Sequence, residues 1–528
     1  MNATHAPDLL SWTLALSPLV LLLVLLVWVK MKTWPAALAA WLAAMAVAAL
    51  RFGANPHGLM IANGKGLALA LFVVLIIWTA VLLYNVVKHA GAIAVISATL
   101  SAVTSNRLLQ LLLLSWCFAS FIQGVAGFGV PVAVVAPLLV GMGFAPVLAA
   151  SAALVGHAWS VTFGSMASSY FSLQLVVDLP AAELTHWLGL LFLSPILVAG
   201  LSVAHMQGGF PALRQALPAV IITSAAMGVM LVAVTRIGAE QLGTLASGAV
   251  GVAVLSVYAR LSRSGTNAGR QPVATASAPA SLPSAPPPMS LFTATLPYVF
   301  LVIMVTLSQV PAVKAALGGY RLTFRFPATS TALGFEVPAV TDYAAIRLFG
   351  HPAPFLAAAA VLGVVFYKSR SGFPGSGLRA VWFDTVKQCN TATVSIGLMV
   401  MMALVMNDAG MTSLAASGVA AFAGALFPLF SPLVGVLGSF MTGSNTNSNV
   451  LFGAFQEQVA LQLGVNAAIL AAAQSVGGSL GSAIAPAKAV IGAATVGVPG
   501  QEGAILRNTL LYCLLNAVIV GIIVFIIV

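Results

Sequence analysis

The residues Gly443-Ser444-Asn445-Thr446-Asn447-Ser448-Asn449 place six hydrogen-bonding side chains in a row, between the apolar runs 434–441 and 450–455. Hydrocarbon has no groups to satisfy them, and each unpaired polar group there costs several kcal/mol. Gly, Ser, Asn and Thr also favour helix ends over helix interiors. The stretch therefore reads as a broken helix at membrane depth, its backbone amides and small side chains facing a solute. A polar loop outside the membrane is the plainer alternative.

The membrane reading follows from composition. Of 528 residues, 60% are hydrophobic and 6% charged, which excludes an ordinary soluble domain and predicts an all-α protein of about 12–14 spans. The net charge of +11 is scattered at the ends of apolar runs, as in loops facing cytoplasm or anionic lipid, and is not a nucleic-acid signature. Cys117, Cys389 and Cys513 lie far apart in apolar segments and read as buried core residues, with neither a disulfide framework nor metal-ligand spacing. The first apolar run, 14–29, has no basic residue before it and no cleavage site, so it reads as a retained anchor.

Along the chain, spans are expected at 11–30, 34–50, 66–87, 145–163, 187–204, 215–235, 243–261 and 291–309, with later apolar segments including 412–427 and 433–441. Residues 90–106 suit the interface. The run 108–122 meets Gln123-Gly124-Val125-Ala126-Gly127-Phe128-Gly129-Val130-Pro131, where three glycines and a proline predict a helix stop, a turn and a fresh start. Residues 262–290, rich in Ser, Ala and Pro, read as a flexible linker between halves 1–261 and 291–528. Arg321 to Phe326 alternates at period two, which predicts a short hairpin outside the bilayer.

Counting basic residues puts 30, 32, 88, 107, 214, 260, 263, 270, 368, 370, 379 and 387 on one face, against 51, 65, 236, 314, 321, 325 and 347 on the other. The first face is then cytoplasmic and the amino terminus outside. A faint repeat aligns Phe144-Ala145-Pro146-Val147-Leu148 with Phe430-Ser431-Pro432-Leu433-Val434, sets His157 against Gly443, and with the charge count turns both copies the same way up.

The 122–133 and 441–453 segments, with 405–411 and 426–432, resemble the L-lactate permease family of bacterial monocarboxylate transporters. The resemblance covers most of the chain outside 262–290. It implies proton-coupled uptake of lactate, glycolate or a related 2-hydroxy acid across the bacterial inner membrane, and kinship with transporters built of inverted repeats with re-entrant hairpins. A different organic anion, or an anion channel on the same scaffold, is the alternative. This chain departs from the family pattern: a family glutamate is Gln123 here, an aspartate is Asn445, an asparagine–threonine pair is His157-Ala158, and Lys488 stands where a neutral residue is usual.

A small carboxylate needs hydrogen-bond donors and a positive field, which helix amino termini supply. The candidate substrate site is therefore Gln123, Gly124, Gly127 and Gly129, with Ser160; Ser444, Asn445, Thr446, Asn447, Ser448 and Asn449; and Gln474 and Ser475. Lys488 is a candidate partner for the carboxylate, though its long side chain also suits snorkelling to an interface. The glycines equally suit close helix packing. For proton coupling the candidates are His157, which titrates nearest neutrality, then Asp408 and Glu457. A satisfied core histidine and acids at wet helix ends are the bland readings. No carboxylate stands near His157 and Ser160 to complete a catalytic triad, so no enzyme is expected. No cofactor or metal is expected either; the expected partners are the carboxylate, protons and lipid, with a homo-oligomer open.

Overall fold

The computed structural model describes residues 8–127, 129–262, 289–370, 373 and 377–528. Phe128 of the glycine motif and nearly all of the expected 262–290 linker lie outside these residues. Among the described residues, twelve helical stretches are long and apolar enough to cross a membrane, and the pair Pro146–Ser160 and Gly164–Gln174, bent by 50°, makes a thirteenth. The three cysteines are free and buried.

Two faces of the helical bundle are set by α3 (Pro56–His89). At its start, the Ala332 amide donates to the Gly53 carbonyl at 2.8 Å. There lies the strand element: β1 (Arg321–Phe326) pairs antiparallel with β4 (Val340–Arg347), enclosing β2 (Thr329–Ser330) and β3 (Glu336–Val337). The expected hairpin at 321–326 is thus β1, and its face is the strand face. At the other end of α3, His89 Nε2 lies 3.0 Å from Asp384 Oδ2 on α16 (Gly377–Asp408). The helices α3 and α16 pack antiparallel, and α16 ends on the strand face. There Asp408 lines a small pocket with Asn55 and Thr329 to Thr331.

Before α3, α1 (Leu9–Val27) and α2 (Thr33–Leu50) are joined at their strand-face ends by an Asp8–Arg51 ion pair of 2.8 Å. After it, α4 (Ala92–Ser101) stays on the opposite face, as expected of the 90–106 region. Next, α5 (Arg107–Leu112) widens through a π-helical segment (Leu113–Phe118) into α6 (Ala119–Val125), and the chain reverses into α7 (Val130–Gly141). The Arg107 guanidinium donates to the Met142 and Gly143 carbonyls, so both arms begin and end on the opposite face. This is a re-entrant hairpin with Ala126, Gly127 and Gly129 at its tip. It is followed by a broken span, α8 (Pro146–Gly156) and α9 (Gly164–Gln174), which continues to the strand face.

The second copy starts from α16 and has the same order. The helix α17 (Met411–Ala423) begins and ends on the strand face. Then α18 (Phe427–Thr442) and α19 (Asn445–Leu463) fold back on each other. Ser431 pairs with Gln456, and the Ser448 hydroxyl donates to the Gly435 carbonyl at 2.9 Å, a pattern only antiparallel arms produce. The tip is Gly443-Ser444. A second broken span follows: α20 (Ala467–Gly481), a 3₁₀ turn at Ser482–Ile484, and α21 (Pro486–Thr495). Helices α18 and α20 pack closely because their contact carries glycine: a Cβ on Gly477 would collide with the Pro432 carbonyl, and one on Gly435 with that of Gln474.

Since α3 and α16 run in opposite directions, the copies are inverted, as the family resemblance implies. Two expectations are corrected by this. The match of 144–148 to 430–434 pairs an arm of a broken span with an arm of a hairpin, whereas the equivalents are the tip at Ala126-Gly127 with the tip at 443–444 and break 157–163 with break 482–485. The copies are not the same way up, because that conclusion treated 443–449 as an interruption within a span. The apolar segments 412–427 and 433–441 are α17, which begins and ends on the strand face, and the first arm of the second re-entrant hairpin. Lys65, counted as a surface charge, is buried inside the bundle.

The remaining helices complete the shell. After α10 (Ala181–Leu191), α11 (Leu193–Arg236) makes two antiparallel legs about Gly208-Gly209, with Gly200 against Val220; these are the spans expected at 187–204 and 215–235. Gly209 sits at φ 63°, which favours glycine. The shell closes with α12 (Gly243–Ser262), α13 (Leu291–Ser308), α14 (Pro311–Leu317), α15 (Pro352–Arg370) and α22 (Glu502–Ile527). Packing crosses the 262–290 boundary: α3 lies against α15 and α16, and α9 against α19.

Candidate functional site

The second hairpin tip delivers the polar stretch to the middle of the protein. Gly443, at φ 74°, turns the chain, and the Ser444 hydroxyl caps α19 by accepting the Asn447 amide. The six polar side chains then divide by the face of α19 they occupy. Ser448 looks inward to its own hairpin and to α20: Gln474 Nε2 donates to its hydroxyl at 3.0 Å, and Gln474 Oε1 accepts from Gln456 at 3.2 Å. These bonds hold α18, α19 and α20 together.

Asn445, Thr446 and Asn449 instead reach across to the first broken span. Asn445 Nδ2 donates to Thr162 Oγ1 at 2.9 Å, and Thr162 Oγ1 lies 3.0 Å from Ser475 Oγ. The hydroxyls of Thr446 and Ser169 are 3.0 Å apart, and Asn449 Nδ2 donates to both the Ser169 carbonyl and Ser475 Oγ at 2.8 Å. On α20, Ser479 accepts from the Val161 amide and donates to the Ala158 carbonyl. The tip of one repeat and the break of the other are therefore one hydrogen-bonded unit.

The break at 157–163 is irregular. The helix α8 ends at His157, whose Nδ1 meets the Ala153 carbonyl, and a 3₁₀ turn follows at Ala158–Ser160. Ser160 serves this turn: its hydroxyl donates to the His157 carbonyl, and its own carbonyl accepts from Thr244. Ser165, Met166 and Ala167 then adopt left-handed backbone with φ between 46° and 61°. That conformation costs an L-residue about 1–2 kcal/mol. Three in succession persist only because the surroundings impose them, a form of strain that concentrates at functional sites.

The first hairpin tip presses on this turn. A Cβ on Gly127 would lie 2.5 Å from Ser165 Oγ, and one on Gly164 would lie 2.6 Å from Gln123 Nε2, so Gln123 and the 164–165 turn meet only because both positions are glycine. Gly124 is used differently, for close packing of α6 on Leu245 of α12. Gly129, at φ 83°, starts α7 against Ile491 of α21. The second break closes the ring, with Ala487 beside Gly443.

Lys488 sits in the first turn of α21, 6% exposed, next in sequence to the Ala487 that faces Gly443. Among the described residues it has no carboxylate within salt-bridge distance. An unpaired cation in a bundle is costly, by about 2.5–3.5 kcal/mol on insertion scales. On the two hairpins, the buried amide oxygens of Gln123, Asn445, Asn447 and Asn449 have no partners. Oxygen and nitrogen of an amide exchange places by a half-turn, so each is an open hydrogen-bonding position.

The other acidic candidates lie elsewhere. Asp408 is in a buried ion pair with Lys65, 2.9 Å from Oδ2 to Nζ, below the strand element. Glu457 accepts the Asp178 amide at 3.0 Å, about 12 Å farther along α19 than Asn449 at 1.5 Å per residue. Sequence reasoning missed Thr162, Ser165, Ser169 and Ser479. A signal was there, because 160–172 carries six Ser or Thr residues in an apolar setting, as 443–449 does.

Paired re-entrant hairpins facing paired broken spans, inverted with respect to each other, are the architecture of a multi-pass membrane transport protein. Sequence comparison gives the family. The profile described as L-lactate permease matches residues 11–528. The chain is 30% identical to the L-lactate permease of Escherichia coli (strain K12), covering 97% of this chain and 95% of that one. It is 29% identical to the L-lactate permease of Bacillus subtilis (strain 168), covering 98% and 96%. It is also 29% identical to the glycolate permease GlcA of Escherichia coli (strain K12), covering 97% and 95%. The chain belongs to the L-lactate permease family.

Proposed function

We propose that this protein is a secondary active transporter that imports a small monocarboxylate, lactate, glycolate or a related 2-hydroxy acid, together with protons across the bacterial inner membrane. The observation that carries the reading is the meeting of the 443–449 tip with the 157–169 break beside an unpaired, buried Lys488. Lys488 and the amide-rich start of α19 suit a carboxylate. The open amide oxygens suit a donor, which a 2-hydroxy acid carries on the neighbouring carbon.

In this reading, Asn445, Thr446, Asn447, Asn449, Gln123 and Ser475 line the substrate, and the two repeats flanking 262–290 move against each other to alternate access. His157 is taken as the proton-coupling group because it stands at the break itself, while Asp408 is held by Lys65 and Glu457 lies farther along α19. One anion moving with one proton is electroneutral, so the pH gradient and not the voltage drives uptake. The test is uptake of labelled L-lactate, glycolate and larger carboxylates into proteoliposomes. Accumulation that collapses with the pH gradient supports a symporter. Equilibration without accumulation means a channel, and transport of only larger acids means another substrate.

A further inference from the structure

A second polar cavity opens at the strand face, apart from the central network. It has a volume of about 210 Å³ and is lined by Phe171, Glu240, Ser308, Gln309, Lys314 and Arg347, among others. A single water needs only about 10–15 Å³ on this measure, so the space admits a small hydrated carboxylate. Two cations face one carboxylate, a net positive mouth, and among the described residues none of the three is in a salt bridge.

The strand register adds an independent observation. Arg347 lies directly opposite Arg321 in the β1–β4 ladder, an arrangement of like charges that destabilises a sheet. Asp342 pairs with Arg321 at 2.8 Å and leaves Arg347 as the unbalanced member. One lining residue belongs to the helix that reaches the central network. Phe171 on α9 lies between Ser169 and Ser172, which contact Thr446 Oγ1 and the Thr446 carbonyl respectively.

We propose that this cavity is an entry site, where Lys314 and Arg347 capture a small carboxylate before it passes along α9 to the central network. This rests on the transport reading above for its ligand class. Focused positive potential in a cleft raises the local anion concentration and the rate of encounter.

The experiment uses the full chain with Gln309→Cys; the chain's own three cysteines are buried and do not compete for a polar thiol reagent. The rate of modification by the anionic reagent methanethiosulfonate ethylsulfonate is measured with L-lactate or with the neutral lactamide. L-lactate is expected to slow modification at least threefold and lactamide to leave it unchanged. The protection is expected to persist with Asn445→Ala and to vanish with Arg347→Gln. Equal protection by lactamide, no protection, or loss of protection with Asn445→Ala overturns the entry site. Uptake in the same preparation reads the other claim. Protection without uptake refutes the transport reading alone, and uptake without protection refutes the entry site alone.

Discussion

Asn445→Ala cuts the contact between the two repeats at Thr162, together with one bond to α20 of its own repeat. It removes the donors to Thr162 Oγ1 at 2.9 Å and to the Ser475 carbonyl at 3.3 Å. Polar bonds between membrane helices average about 0.6 kcal/mol and reach about 1.7. Two of them give a stability loss of about 1–2 kcal/mol. Ser448→Ala is the matched control: it also loses bonds, to the Gly435 carbonyl and from Gln474, but these lie within one hairpin and its neighbour. Thermal unfolding of the solubilised protein is expected to show comparable losses for both. Uptake separates them, with the KM for L-lactate raised at least tenfold by Asn445→Ala and altered less than twofold by Ser448→Ala. A double-mutant cycle of Asn445→Ala with Thr162→Val should give a coupling energy of about 0.6–1.7 kcal/mol. If the two single variants transport alike, or the coupling is zero, the tip-to-break contact is not part of the substrate site.

Lys488→Gln should raise KM by about 10–100-fold, equivalent to the roughly 1.5–3 kcal/mol of a charge-assisted bond, and uptake kinetics measure it. Lys65→Met should destabilise by about 3–5 kcal/mol because Asp408 is left buried and unpaired, while Lys65→Met with Asp408→Leu recovers most of the loss, as read by thermal unfolding. Gly477→Ala should cost about 1–3 kcal/mol or prevent folding, since the backbone Pro432 carbonyl cannot yield to the added methyl; expression and melting temperature report it.

How much of this was legible in the sequence depends on the kind of signal. The 443–449 and 123–131 interruptions stood out because polar and glycine-rich residues break an apolar pattern, and both are hairpin tips. The period-two run at 321–326 likewise marked β1 correctly. What the pattern did not carry was direction: a re-entrant arm such as α18 and a crossing arm such as α8 are both about one apolar helix long, so 144–148 was matched to 430–434. The 157–169 break was under-read because serine and threonine satisfy themselves on helices, as Ser172 does on the Ser169 carbonyl, and so blend into a span. Lys65 and Asp408, 343 positions apart, gave no local sign that each neutralises the other.

The most direct test of the central claim is a cross-link between Thr162→Cys and Asn445→Cys, whose native side chains are 2.9 Å apart across the repeat boundary. Oxidation is expected to join them, to abolish uptake until a reductant is added, and to proceed more slowly when L-lactate is present. A pair that does not cross-link, or that cross-links without loss of transport, would contradict a substrate site built where one repeat's hairpin tip meets the other's broken span.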